Sequence, residues 1–295
     1  DISPWVEKIS EGKKVSMFVS PKLDGLSGLL HYKNRKLVAV YTRGDGHIGR
    51  DITKRAVHIM GVFKDLLHTD FPEKGDVYIK GEFIIHNKLF EKYYFGDGPG
   101  KYKNARNFAV GMLNKKGMEE SDLLPLTRMT FVTYGLTTWQ EDEEFKSKQE
   151  EVETLANNSF ITVLTCKRYK KEDFVEYKNA CDEYNKTPSK YNLEVLVNTG
   201  DNLRQRKQIL CEVVKATQTE EFYKELLAKY RVDIDLLLDG LVIEVNNTKT
   251  RKTLGTETNS INPVWAKSIK LDQAEQSSQI GTVKQINWSY TKRRV

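Results

Sequence analysis

A chain of 295 residues can bury a sizeable core as one large domain or two smaller ones, and 39% hydrophobic with 10% aromatic residues is ordinary for a globular protein. The formal charge of +6 leans toward a polyanionic partner. Cys166, Cys181 and Cys211 lack CxxC spacing, so neither a zinc site nor a disulfide framework is indicated, and with no apolar run or leader pattern a cytoplasmic chain without a membrane partner is expected.

In chain order, β-branched and aromatic residues alternate over 15–20, 26–32 and 36–42, with a turn at Lys33-Asn34-Arg35, and these segments read as strands. A helix is expected over 51–62, a strand over 77–85, a helix over 105–114 and a strand over 129–136. Helices follow over 143–157, 172–184 and 204–230, the last broken near Thr217-Gln218, and then a strand over 241–246. The polar stretch from about 141 to 231 separates two strand-rich halves. Antiparallel strands with helices set around them give an α+β class. Residues 282–290 read as a further strand, which places a domain over 1–280 and a second unit from 281 to 295.

Two motifs carry chemistry. Lys22-Leu23-Asp24-Gly25 sets a lysine two residues before an Asp-Gly. A lysine nucleophile must lose its proton, and an amine with a reference pKa near 10.4 needs neighbouring cations or burial to do so at neutral pH. Alone, the motif equally describes a surface lysine in a turn. Thr42-Arg43-Gly44-Asp45-Gly46-His47-Ile48-Gly49-Arg50-Asp51 holds three glycines whose backbone freedom lets a loop approach a nucleotide, or simply closes a hairpin before a helix.

Lys-Leu-Asp-Gly, a hairpin, and then Thr-Arg-Gly-Asp-Gly-x-x-Gly-x-Asp resemble the adenylation domain of NAD-dependent DNA ligases. Later blocks keep that family's order: Gly81-Glu82-Phe83, Asn104-Ala105-Arg106-Asn107, Tyr134-Gly135, Asp239-Gly240-Leu241-Val242, Trp265-Ala266 and Lys270. The resemblance spans about residues 15–290. It implies a nucleotidyltransferase fold, ATP-grasp-like, with the start of an OB-fold at the C-terminus. It also implies a reaction in which a lysine takes AMP from NAD with Mg²⁺, passes it to a 5′-phosphate, and so seals nicked double-stranded DNA.

By the same resemblance Lys22 is the nucleophile and Asp24 organises it. Arg43 lines the nucleotide pocket, with Ser20, Pro21, Gly25 and Val242 around it. Glu82 holds the ribose, Tyr134 stacks on adenine, and Arg106 and Lys270 contact phosphate and ease deprotonation of Lys22. Each has a plainer counterpart: Glu82 and Lys270 on the solvent side of a strand, Tyr134 as a half-buried strand residue, Arg106 facing water.

Three departures stand out. Glu244 occupies the place of a family lysine that meets the AMP phosphate, Asn114 that of an arginine, and Ser20 that of an acidic residue. Residues near 185–220 read as an insertion, with Arg204, Arg206 and Lys207 as a DNA or partner contact. The family's nicotinamide-binding N-terminal domain is not recognisable, so a separate domain or subunit is expected to supply it. The sequence fits either an excised adenylation domain or part of a divergent ligase, a virus being one source. Two alternatives stay open: a nucleotide- or nick-binding module that has lost catalysis, and an ATP-dependent polynucleotide ligase.

Overall fold

The computed structural model describes residues 2–10, 14–42, 49–66, 69–138, 145–163, 179–180, 182–183, 185–187, 189, 212–215, 218–255 and 263–270. Arg43 with its glycine loop, most of the expected insertion including Arg204, Arg206 and Lys207, most of the helix expected over 172–184, and the strand expected over 282–290 lie outside the described residues.

Two four-stranded antiparallel sheets organise the chain, with helices around them. In the first, β1 (Ser16–Leu23) is flanked by β6 (Glu212–Lys215) and β7 (Leu238–Val245), and β8 (Ala266–Ile269) adds to β7. The second runs β3 (Lys36–Thr42), β2 (Leu26–Lys33), β4 (Asp76–Ile85), β5 (Met129–Thr138). Pro21 lies in the part of β1 that β6 does not cover, where a strand tolerates a missing N–H. The Lys22-Leu23-Asp24-Gly25 motif is the crossing point between the sheets: Leu23 closes one strand and Leu26 opens the next.

Local chemistry explains the elements. Asn34 and Arg35 adopt φ of 50° and 63°, a two-residue hairpin turn whose twist matches the strands it joins. Helix α4 (Ala105–Asn114) begins where the Asn104 side chain accepts from the Asn107 N–H. Helix α6 (Lys148–Asn157) is capped by Ser147, helix α7 (Glu220–Asp233) by Thr219, and helix α8 (Thr248–Leu254) by Asn247. Among the described residues there are also the short helices α1 (Ser3–Ser10), α2 (Thr53–Ala56), α3 (Asn87–Tyr93) and α5 (Glu120–Thr127).

Two expected helices differ. The helix expected over 51–62 shrinks to α2, because Gly61 at φ 90° turns the chain so that the Met60 carbonyl accepts from the Phe131 N–H. Within the helix expected over 204–230, residues Glu212–Lys215 instead form β6 against the edge of β1, and α7 starts only at Glu220. Two adjacent valines suit a strand, and an open sheet edge supplies backbone partners that local propensity does not know of.

Phe83 and Phe131 pack with ring centroids 4.5 Å apart at the centre of the second sheet, over Gly28 and Gly81. Gly240 has φ 145°, and a Cβ there would lie 1.9 Å from the Ile269 carbonyl oxygen. Both facts demand glycine. Gly240→Ala is expected to lower stability by on the order of 2–4 kcal/mol in urea unfolding, from backbone strain plus a clash between β7 and β8.

Candidate active site

A cleft of about 750 Å³ lies between the two sheets. Ser20, Pro21 and Lys22 of β1 and Val242 and Glu244 of β7 form one wall; Ser27 of β2, Glu82 of β4 and Tyr134 of β5 form the other. Asp24, Gly25 and Arg106 close one end.

The antiparallel register puts Lys22 opposite Gly240, so the Lys22 ammonium reaches the neighbouring Asp239 carboxylate and pairs with it. Lys270, just past β8, meets the same Asp239 oxygen at 3.0 Å. Burial works against the Asp239 charge, yet the hydrogen bonds from Lys22 and Lys270 outweigh it and hold its pKa below the usual carboxylate range. Arg106, in the first turn of α4, donates to Asp24 at 2.6 Å, and that bond raises the pKa of the guanidinium. The Asp24 N–H donates to the Leu237 carbonyl at 2.9 Å, tying the crossing segment to the start of β7.

Glu82 is 7% exposed. Burial pushes its pKa up to about 7, against the hydrogen bonds from Ser27 and the Gly25 N–H and the charges of Lys22 and Arg106. Ser27, its register partner on β2, donates at 2.8 Å. Gly25 is needed for close approach rather than for a special φ, since a Cβ there would stand 2.2 Å from the Phe83 carbonyl oxygen.

Of the residues singled out in the sequence, Ser20, Pro21, Lys22, Asp24, Gly25, Glu82, Arg106, Tyr134 and Val242 all line the cleft. Lys270 reaches it through Asp239, and Arg43 is outside the described residues. Asp239, Ser27, Arg50, Lys148 and Arg251 were missed as site residues. Asp239 and Arg50 each stood in a quoted motif and their charge was the available signal; the others are single polar residues with no local pattern.

A family model described as NAD-dependent DNA ligase adenylation domain matches residues 1–209. The chain belongs to that family. Among curated relatives, a DNA ligase of Sulfurovum sp. (strain NBC37-1) is 25% identical over 96% of this chain and 36% of its own length. One of Borreliella burgdorferi (strain ZS7) is 26% identical over 96% of this chain and 34% of its own, and one of Bartonella bacilliformis is 29% identical over 62% and 26%. The chain thus spans about a third of the length of the curated relatives it matches most fully. A solved structure called Pmar-Lig_Pre. covers 81% of this chain and 40% of its own at 12% identity and a TM-score of 0.34, too slight a likeness to carry an argument.

The departures from the ligase pattern acquire neighbours in the fold. Arg50 donates to the Asn114 carbonyl at 2.8 Å, and both line the cleft, so a guanidinium stands beside the position where the ligase family has an arginine. Glu244 has Arg251 Nη2 4.0 Å from Oε1, and the Arg251 guanidinium lies over Trp265 at 4.4 Å. The cationic neighbour that the structure offers Glu244 is therefore Arg251.

Glu82 makes a testable pH prediction. In the unfolded chain a glutamate releases its proton near pH 4.5, whereas native Glu82 holds it to about 7. Between these values the native state binds more protons, so this group costs stability increasingly as pH rises through the window. The stability of the wild type relative to Glu82→Gln should fall from pH 5 to pH 8 in urea unfolding. Parallel curves would mean that Glu82 is ionised throughout.

Proposed function

We propose that this chain is the adenylation domain of an NAD-dependent DNA ligase, in which Lys22 takes AMP from NAD as the first step toward sealing nicked duplex DNA. The observation that carries the reading is the convergence of Lys22 and Lys270 on Asp239 beside a cleft lined by Glu82, Arg106 and Tyr134. Residues 1–280 form this domain in a nucleotidyltransferase fold, with an insertion near 185–220, and 281–295 are a linker or the start of an OB-fold. A separate domain or subunit would hold the nicotinamide half of NAD.

In the step itself, the Lys22 nitrogen attacks the adenylyl phosphorus. An N–P bond forms, the P–O bond of the pyrophosphate breaks, and nicotinamide mononucleotide leaves with that oxygen. Asp239, already paired to two cations, is a poor proton acceptor. It orients the amine, and the proton passes to solvent. Lys270 and Arg106 flank the nucleophile and would meet the phosphate charge. Glu82 faces the cleft at the level of Ser27, where a ribose hydroxyl could donate to it, and Tyr134 offers a ring for the base to stack on. Arg43 would add to the pocket from the glycine loop.

Mg²⁺ would supply Lewis-acid neutralisation of the phosphates. Among the described residues no group of three His, Cys, Asp or Glu could hold a metal. The ion would thus be held mainly by the nucleotide and water, as Mg²⁺ commonly is. No step above is routed through it.

A second reading, a nucleotide- or nick-binding module without catalysis, is favoured only by Glu244 and Asn114. The two readings, and an ATP-using enzyme, separate in one experiment: intact mass after incubation with NAD or with ATP. An AMP adduct formed from NAD and lost in Lys22→Ala is the expected outcome. An adduct from ATP alone assigns the other donor, and AMP binding without any adduct supports the binding module.

A further inference from the structure

The second sheet continues past β3 in a short added segment. The Thr42 N–H donates to the Arg50 carbonyl at 2.9 Å, the Arg50 N–H to the Thr42 hydroxyl at 3.2 Å, and the Ile52 N–H to the Val40 carbonyl at 2.8 Å. Tyr41 faces Asp51 in an antiparallel bridge. One row of the register crosses the whole sheet, from Thr133 of β5 through Gly81 and Gly28 to Thr42. Tyr134 therefore stands at one edge of that cleft wall and Arg50 at the other. Four strand-to-strand steps of about 4.8 Å put their backbones roughly 19 Å apart.

Helix α4 links the Arg50 edge to the Lys22 end of the cleft. Its first turn holds Arg106, which meets Asp24, and the carbonyl of its last residue, Asn114, accepts from Arg50 Nη1 at 2.8 Å. At about 1.5 Å per residue, Arg106 and Asn114 lie roughly 12 Å apart along the helix.

The carbonyl end of a helix favours a cation, and two guanidinium groups come to this one with different duties. Arg55 is buried. Its Nε donates to the Lys115 carbonyl at 3.2 Å, and its Nη2 donates to the Gly117 carbonyl and pairs with Asp122 at 2.9 Å. That side chain fixes the end of α4 and has no access to the cleft. Arg50 is exposed, lines the cleft, and among the described residues spends one of the five N–H donors of a guanidinium. The other donors are open to a ligand, and the Asn114 contact holds the group at the cleft edge.

We infer that Arg50 binds a backbone phosphate of the polynucleotide whose 5′-phosphate comes to Lys22, and that this strand runs along α4 from Arg106 to Arg50. The inference rests on the AMP-site reading above and adds a contact that only the acceptor strand makes. A base on Tyr134 and a ribose at Glu82 take up the β5 and β4 side of the wall, away from Arg50. The two phosphates of NAD share a bridging oxygen, so both stay beside Lys22 when the adenylyl phosphorus faces its amine. A guanidinium roughly 12 Å further along α4 is reached by a ligand that carries more phosphates. A strand places one phosphate per about 3.4 Å of duplex axis, so the span covers about three or four of them. The paired donors of a guanidinium suit the oxygens of such a phosphate.

The test is binding of a 5′-phosphorylated nicked duplex to the full chain, read by fluorescence anisotropy across a salt series, with Arg50→Gln and Arg50→Lys alongside. Arg50→Gln should weaken binding at least about threefold at low salt and flatten the slope of log K against log salt by about 1, the loss of one phosphate contact. Arg50→Lys keeps the charge and should keep the wild-type slope. Thermal melts separate a purely structural role, since a lost contact to α4 would lower the melting temperature and leave the slope alone. An unchanged slope in Arg50→Gln, or a wild type that binds no duplex, overturns the inference. So does an Arg50→Gln variant that loses calorimetric affinity for NAD instead, which would give the guanidinium to the donor nucleotide. Intact mass after incubation with NAD checks the underlying reading separately: no adduct together with a slope that still falls would strike the AMP site and leave the strand contact standing.

Discussion

Pairing of β1 with β7 is the contact on which the site depends. It joins residues more than two hundred positions apart and sets Lys22 against Gly240, so that Asp239 and, across one more strand, Lys270 gather around that lysine. A shift of one residue in that register would turn Lys22 to the opposite face. Gly240 secures it, because only a residue without a Cβ lets β8 approach at that point. The same pairing carries Val242 and Glu244 along the cleft wall at fixed distances from the lysine.

Charge in the cleft is arranged in pairs rather than pooled. Asp24 is taken by Arg106, Asp239 by two lysines, Glu151 by Lys148, and Glu244 faces Arg251. Burying a charge is costly unless a partner compensates. Glu82 is the exception: it has a hydroxyl and a backbone N–H rather than an ion pair, and its pKa of about 7 follows from that. A polar site between two sheets is thus kept ready for a charged ligand without collapsing onto itself.

Much of the fold was legible because its signals are local. The hairpin turn at Asn34-Arg35, the strand 36–42 and the helix over 105–114 follow from alternation, turn chemistry and an asparagine cap. The failures share one cause. At 51–62 and 212–215 the deciding partners, Phe131 and the edge of β1, are distant in sequence, and a window of ten residues cannot see them. Gly25 shows a milder version: its identity was legible, but the reason is the Phe83 carbonyl from another strand.

The sequence by itself determined the family and the order of the site blocks, because short motifs record chemistry that few other residues perform. Only the tertiary structure decided that Glu82 is buried rather than turned to water, that Asp239 is shared by two lysines, and that Arg50 and Arg251 stand beside Asn114 and Glu244. It also brought Lys148 into the cleft. Those facts depend on which faces of distant strands and helices meet, and the physical reason is that side-chain environment is a property of packing, not of neighbours along the chain.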